Sequence, residues 1–207
     1  MRSMGAGAVY RLLMAGADRI GDFPRHVLAC PLALALGDGE RGLDTALGLA
    51  ADEIALLLDS RFPQAAAGPL AGLLRFDGDG DRPASLEEPD LRALLLAHCG
   101  APPPLGPWLA RIIARRSLES NHLWQDLGLF DRSDLSRLMS AYFAPLAAAN
   151  QRDMKWKKFF YRTLCQQEGL NVCKSPVCDS CSDFAQCFGD EDGLSLLARA
   201  GGPPSKR

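Results

Sequence analysis

The sequence predicts an all-α protein, a bundle-like helical body with an irregular C-terminal loop rich in cysteine. Three observations lead there. Ala, Leu and Arg are abundant and β-branched residues are few, a composition that favours helix over strand. No run alternates apolar and polar residues with the two-residue period of a half-buried strand, and no internal repeat recurs. Trp156, Phe160 and Leu164 recur every four residues, the spacing of one buried face of a helix.

The 207 residues suffice for one good core with a small appended module, and a hydrophobic content of 47% argues against wholesale disorder. The chain divides into a helical region with Pro/Gly-rich loops (1–120), a cysteine-bearing region (121–189) and a flexible tail (190–207). A net charge of −2 gives no global attraction to nucleic acid or to an anionic membrane. Arg11 and Arg19 interrupt the apolar start, so no signal-peptide core forms. The longest apolar run, Val27 to Leu36, is far short of the roughly 20 residues a membrane helix needs, and Pro31 is expected to break it. The chain reads as cytoplasmic, where thiols stay reduced and clustered cysteines serve metals or redox chemistry rather than disulfide staples.

The first patterned helix is expected over Leu43 to Leu58, with Pro63 ending it at Phe62. Residues 64–107 are broken by AAAGP, DGDGDRP and GAPPPLGP, with a short helix from Leu91 to Cys99 capped by Asp90. Trp108 to Leu118 is the next helix. Ser133 or Asp134 caps another that runs to Tyr142 and onward past Pro145. Asp153 caps DMKWKKFFYRTLCQQEG, which Gly169 stops. From Leu170 to Gly189 neither helical nor strand period persists, so this segment needs something other than an apolar core to hold it.

DGDGDRPASLEE places acids at positions 1, 3, 5 and 12 of a calcium-loop template: Asp77, Asp79, Asp81 and Glu88. The sixth position, glycine in such loops, is Arg82, and Pro83 follows. A solvated turn is the better reading. No G-x-S-x-G, P-loop or H-E-x-x-H motif is present, so the chain does not read as an enzyme.

Five of the seven cysteines fall between Cys165 and Cys187. Cys173, Cys178, Cys181 and Cys187 form C-x4-C-x2-C-x5-C, close enough for one loop to fold its thiolates around a common centre. Four thiolates satisfy tetrahedral zinc, although zinc modules usually pair two short knuckles across a spacer that is missing here. An iron–sulfur cluster accepts thiolates from a wrapped loop. Spacing therefore favours a metal-binding loop without choosing the metal, with redox disulfides or inert thiols as the remaining alternative. Cys165 is either a fifth ligand, a resolving thiol or a small packed hydrophobe. His122 is either a ligand or a capping residue. His26, His98, Cys30 and Cys99 read as structural, the two thiols as buried. Lys155, Lys157, Lys158 and Arg162 make a basic helix, either a solvated face or an electrostatic funnel and docking patch. Trp124, Trp156, Phe159 and Phe160 read as core.

HLWQDLGL (His122 to Leu129), DMKWKKFFYRTLC (Asp153 to Cys165) and CKSPVCDSCSDFAQCFG (Cys173 to Gly189) together resemble the NifQ family of nitrogen-fixation proteins, in the family's order. Before about Leu118 the chain resembles the family only loosely, and no residue is assigned there to a family motif. The resemblance implies a protein of nitrogenase iron–molybdenum cofactor assembly that carries a molybdenum–iron–sulfur cluster and donates molybdenum. It places the family's cysteine motif on Cys173, Cys178, Cys181 and Cys187. It implies the nitrogenase iron protein and the cofactor-scaffold complex as partners, and molybdate as the metal source. The rivals are a zinc-binding interaction module and a ferredoxin-like redox protein.

Overall fold

A computed structural model describes residues 4–17, 21–66, 68, 70–169, 181–182 and 184–201. Among these residues the fold is all-helical, as expected: α-helices and one 3-10 turn, with no strand. Among the described residues no helix is long and apolar enough to cross a membrane.

Helix α1 (Ala6–Leu13) packs along α2 (Phe23–Asp38). Asp22 caps α2 by accepting the Arg25 N–H at 3.2 Å, and Pro24 sits in the first turn, where no donor is needed. Pro31 does not break the apolar run. It lies inside α2, and Val27, Leu28, Leu32 and Ala35 around it are all buried, so tertiary packing outweighs the one lost backbone bond. The two helices touch through their backbones: a Cβ added at Gly37 would stand 2.5 Å from Ala6 Cα. Gly37→Val is therefore expected to push α1 away and cost about 1–3 kcal/mol. A thermal midpoint equal to that of the wild type would contradict this close crossing.

The single helix expected over Leu43 to Leu58 is two helices, α3 (Leu43–Leu47) and α4 (Ala51–Arg61). Gly48 closes α3 with φ +69°, its N–H bonded to Asp44 O at 2.8 Å. Glu53 reopens the chain as α4 by accepting the Ala50 N–H at 2.9 Å. The leucine spacing runs through both helices, which is why periodicity alone merged them. Short α5 (Pro63–Ala66) and the 3-10 turn at Ala71–Leu73 follow.

Helix α6 (Glu88–Ala97) begins two residues before the expected cap at Asp90, and α7 (Leu105–Ser117) starts three residues before Trp108. α7 buries Trp108, Leu109, Ile112 and Ile113 and turns two arginines, four residues apart, toward the preceding loops. Arg111 donates to Gly48 O at 2.8 Å and to Glu53 at 2.7 Å, and it pairs with Asp81. Arg115 donates to both Glu88 oxygens at 2.9 and 3.0 Å, to Arg82 O at 2.7 Å and to Thr45 O. The calcium-like stretch is thus a clamp for α7. Asp79 and Asp81 are exposed, as a solvated turn requires, but Glu88 is fully buried.

Helix α8 (Leu123–Asp126) leads into α9 (Arg132–Tyr142). Asp131, not Ser133 or Asp134, caps α9, accepting the Asp134 N–H at 3.0 Å. The helix does not run past Pro145: it ends at Phe143, and Pro145 opens the separate α10 (Ala144–Ala149). α11 (Trp156–Gln167) starts after Lys155, not at Asp153, whose φ of +53° takes it out of the helix. Two short helices were not foreseen, α12 (Phe184–Phe188) and α13 (Leu196–Arg199). The stretch expected to be a flexible tail packs onto the body as far as Gly201. Leu197 is fully buried, Gly7 N–H bonds Ala200 O at 3.2 Å, and Arg11 bonds Gly201 O at 2.6 Å.

One apolar core runs across residue 120, joining Val9, Leu28 and Ile113 to Met139 and Phe160. His26 is structural, as expected. It is buried, with the Tyr10 hydroxyl 2.9 Å from Nδ1 and Asp134 3.3 Å from Nε2, and so ties α1, α2 and α9 together. Cys30 is buried; Cys99 is only half-buried.

Candidate functional site

Helix α11 organises the region. Trp156 and Phe160 are buried on one face, with Leu164 half-buried one turn further on. Phe159 meets the Trp156 ring edge-on at 5.6 Å. Lys157 does not belong to a free basic face. Its ammonium sits 2.5 Å from Asp126 and donates to Glu119 O at 2.5 Å. Asp126 is itself buried, receives Asn121 at 2.9 Å, and offers its carbonyl to Arg116 at 2.7 Å. Burial pushes the Arg116 guanidinium below its ordinary value, opposed by the charges of Glu119 and Asp126. Burial also acts to raise Glu119, but the hydrogen bond and charge of Arg41, with Arg116 and Lys157 nearby, hold its carboxyl below the usual range.

The start of α11 carries the cysteine-bearing segment. Lys155 N–H bonds Cys187 O at 2.8 Å, and its ammonium donates to Ala185 O at 3.1 Å. Past Cys187 the chain stays attached. The Glu191 carboxylate is buried between His122 Nδ1 at 3.4 Å and Arg132 Nε at 3.2 Å. Arg132 also reaches the Asp153 carboxylate at 2.9 Å and its carbonyl at 3.1 Å. Gln125 donates to Leu194 O at 3.2 Å. HLWQDLGL therefore meets DMKWKKFFYR through Asp126–Lys157, DMKWKKFFYR meets the C-terminal part of the cysteine motif through Lys155–Cys187, and His122–Glu191 ties the chain two residues beyond that motif back to HLWQDLGL.

Cys187 is a half-buried thiol within α12, where Phe184 and Phe188 stack at 4.8 Å, and Cys181, also half-buried, precedes the helix with its carbonyl accepting the Phe184 N–H at 3.1 Å. Cys173 and Cys178 lie outside the described residues. Cys165 is a half-buried thiol in the last turn of α11, ten residues beyond Lys155 and so about 15 Å along the helix. A full helix length separates it from the Lys155–Cys187 junction. His122 stands at the N-terminal end of α8, its backbone N–H bonded to Gln125 Oε1 at 3.2 Å, and its ring contact is with the Glu191 carboxylate. Among the described residues no three His, Cys, Asp or Glu side chains are grouped as a metal ion would require. Glu191, Arg132 and Asp126 escaped sequence reasoning. Asp126 lay inside a quoted motif, but Glu191 had no periodic neighbour to mark it.

The family model described as NifQ matches residues 27–189. The chain belongs to the NifQ family. It is 41% identical over 186 residues to the "Protein NifQ homolog" of Sinorhizobium fredii, covering 87% of this chain and 79% of that one. It is 40% identical to the "Protein NifQ" of Rhodobacter capsulatus, over 80% of this chain and 89% of that one. The "Protein NifQ" of Azotobacter vinelandii is 37% identical over 91% of this chain and is covered completely. NifQ similarity thus starts within α2, well before the motifs that first suggested it. No solved structure matches the chain.

Proposed function

We propose that this NifQ-family chain carries an iron–sulfur cluster with molybdenum and supplies molybdenum for assembly of the nitrogenase iron–molybdenum cofactor. The observation that supports this most directly is the C-x4-C-x2-C-x5-C set, Cys173, Cys178, Cys181 and Cys187, inside the segment that matches the family. The donor chemistry fits: Cys181 and Cys187 are thiols rather than half-cystines and keep partial exposure, so a metal can reach them. Thiolates are soft ligands, suited to iron–sulfur centres and to molybdenum once sulfur has replaced its oxygens.

The chain's own residues have distinct tasks in this reading. The four cysteines hold iron as thiolates. Lys155, bonded to Ala185 O two residues before Cys187, places a positive charge that offsets theirs. Trp156, Phe159 and Phe160 form a dry wall on the α11 side. The Glu191 contacts with His122 and Arg132 fix the chain just beyond the last thiol. The protein is then a carrier rather than an enzyme, acting in the cytoplasm, with molybdate as metal source and the nitrogenase iron protein and cofactor-scaffold complex as partners.

Metal analysis and electron spin resonance of anaerobically purified protein test the proposal. Iron with a cluster signal, and molybdenum retained at a constant ratio to it, are expected. Zinc without iron in every preparation would sink the reading, and iron that never retains molybdenum would point to a redox protein instead.

A further inference from the structure

Helix α11 packs against α6, and the two enclose a groove of about 300 Å³. Its floor is apolar: Ala93, Leu94 and Ala97 come from α6 and Leu164 from α11. Asp90 and His98 mark its extent along α6, a distance of about 12 Å or two helical turns. Gln167 and Glu168 border it on the α11 side. Ala93 and Ala97 are exposed, and Leu96, in the same turn, is left 45% exposed. The groove thus has a floor of small apolar side chains that solvent reaches.

Its polar rim offers acceptors. Among the described residues neither the Asp90 nor the Glu168 carboxylate makes an ion pair or a hydrogen bond. His98 Nδ1 lies 2.9 Å from Leu94 O. A carbonyl can only accept, so Nδ1 carries the proton and the neutral ring keeps its Nε2 lone pair as a further acceptor. No lysine or arginine is among the described residues that line the groove. Arg92 of α6 is taken up by Glu88 at 2.6 Å. Glu87, one turn before Asp90, adds charge of the same sign: burial and the Glu87 carboxylate together hold the Tyr161 phenol of α11 above its ordinary value. Such a rim repels anions, and the group that complements it is a cation rich in N–H donors.

We infer that this groove docks one amphipathic helix of a partner protein, which lays apolar side chains on Ala93, Ala97 and Leu164 and places an arginine or lysine against the Asp90 and Glu168 carboxylates. A groove two turns long suits a helix whose anchors are spaced i, i+4, i+7. The position suits a handover. Glu168 precedes Cys173 by five residues, at most about 18 Å of chain, so a partner seated here is within reach of the first motif thiol. That the partner receives the metal rests on the function proposed above; the docking itself does not.

The test titrates full-length, anaerobically purified protein into a fluorescent helical peptide of about 18 residues, long enough to hold a helix, with arginine and leucine four residues apart on one face. A second peptide carries glutamate in place of each arginine. Anisotropy reads the binding, and iron is counted in the same samples. Saturable binding of the arginine peptide alone is expected. Asp90→Asn combined with Glu168→Lys should weaken it about fivefold or more and flatten its dependence on salt. Ala97→Trp, at an exposed helical position, should fill the floor and weaken it about tenfold. Both variants should keep the helical circular dichroism and iron content of wild type. A wild type that binds neither peptide, or both alike, would overturn the inference, as would wild-type affinity in both variants; iron in those samples leaves the cluster reading intact. Self-association of wild type that Ala97→Trp abolishes would give the groove to a second copy of this chain and overturn the partner. Binding that both variants weaken in protein devoid of iron would support the docking and remove the cluster.

Discussion

Cys187→Ser is expected to lower iron per chain more than tenfold while the helical body stays folded. The thiolate is the metal ligand in the proposed function, and a serine hydroxyl is a poor substitute for it. The substitution is otherwise mild. Cys187 contributes its carbonyl to the Lys155 N–H, and serine keeps that bond. The aromatic pair Phe184–Phe188 is untouched. Cys165→Ser is the matched control. Its thiol stands about 15 Å along α11 from the Lys155–Cys187 junction, so iron content should remain at the wild-type level. The pair of variants, assayed by metal analysis on anaerobic protein, separates a ligand from a neighbouring thiol. Equal iron in Cys187→Ser and wild type would remove Cys187 from the ligand set. Loss of iron in Cys165→Ser would show that the loaded form brings the two ends of α11 to one centre.

Glu88→Ala is expected to destabilise the fold by about 3–5 kcal/mol, because it leaves buried arginine charge without a partner. Glu88 is fully buried and accepts from Arg115 at 2.9 and 3.0 Å, from Arg92 at 2.6 Å and from the Ala84 N–H at 2.7 Å. Burial acts to raise its carboxyl, but the Ala84 N–H and the two arginines outweigh it and hold the group below the usual glutamate range. The sign for stability follows. A carboxyl lowered in the folded state stabilises fully above its unfolded value of about 4.3. That contribution fades as the pH falls through the lower folded value. Denaturant midpoints at neutral pH should therefore differ widely between wild type and Glu88→Ala, and should converge as the pH drops well below about 4. A gap that stays constant into acid would mean that the carboxylate charge is not what holds the clamp.

Much of the helical body could be read from the chain because its signal is local. The stripe of Trp156, Phe160 and Leu164 announced α11, and the apolar run of α7 announced itself through Trp108, Ile112 and Ile113. Boundaries set by a single tertiary contact were not legible. Gly48 divides α3 from α4 inside an unbroken leucine spacing, and Pro31 passes through α2 because its neighbours are buried. The four-cysteine motif was visible as spacing, whereas the groups that support it were not. Glu191 finds His122 and Arg132 from 69 and 59 residues away, and no pattern along the chain records such a meeting. α13 failed for the same reason: four residues carry too little periodicity to show that Leu197 would be buried.

The contact between α1 and the end of the described chain also has a consequence in time. Arg11 and Gly201 are 190 residues apart. At about 5–20 residues per second, a ribosome takes about 10–40 s to make that stretch. For that interval α1 and α2 can assemble, but the surface that receives Leu197 and Ala200 has no occupant. Glu191 and Leu194 reach His122, Arg132 and Gln125 only once α8 to α11 have already been made. The anchor just behind Cys187 can therefore close only after the helices from α1 to α11 have been made.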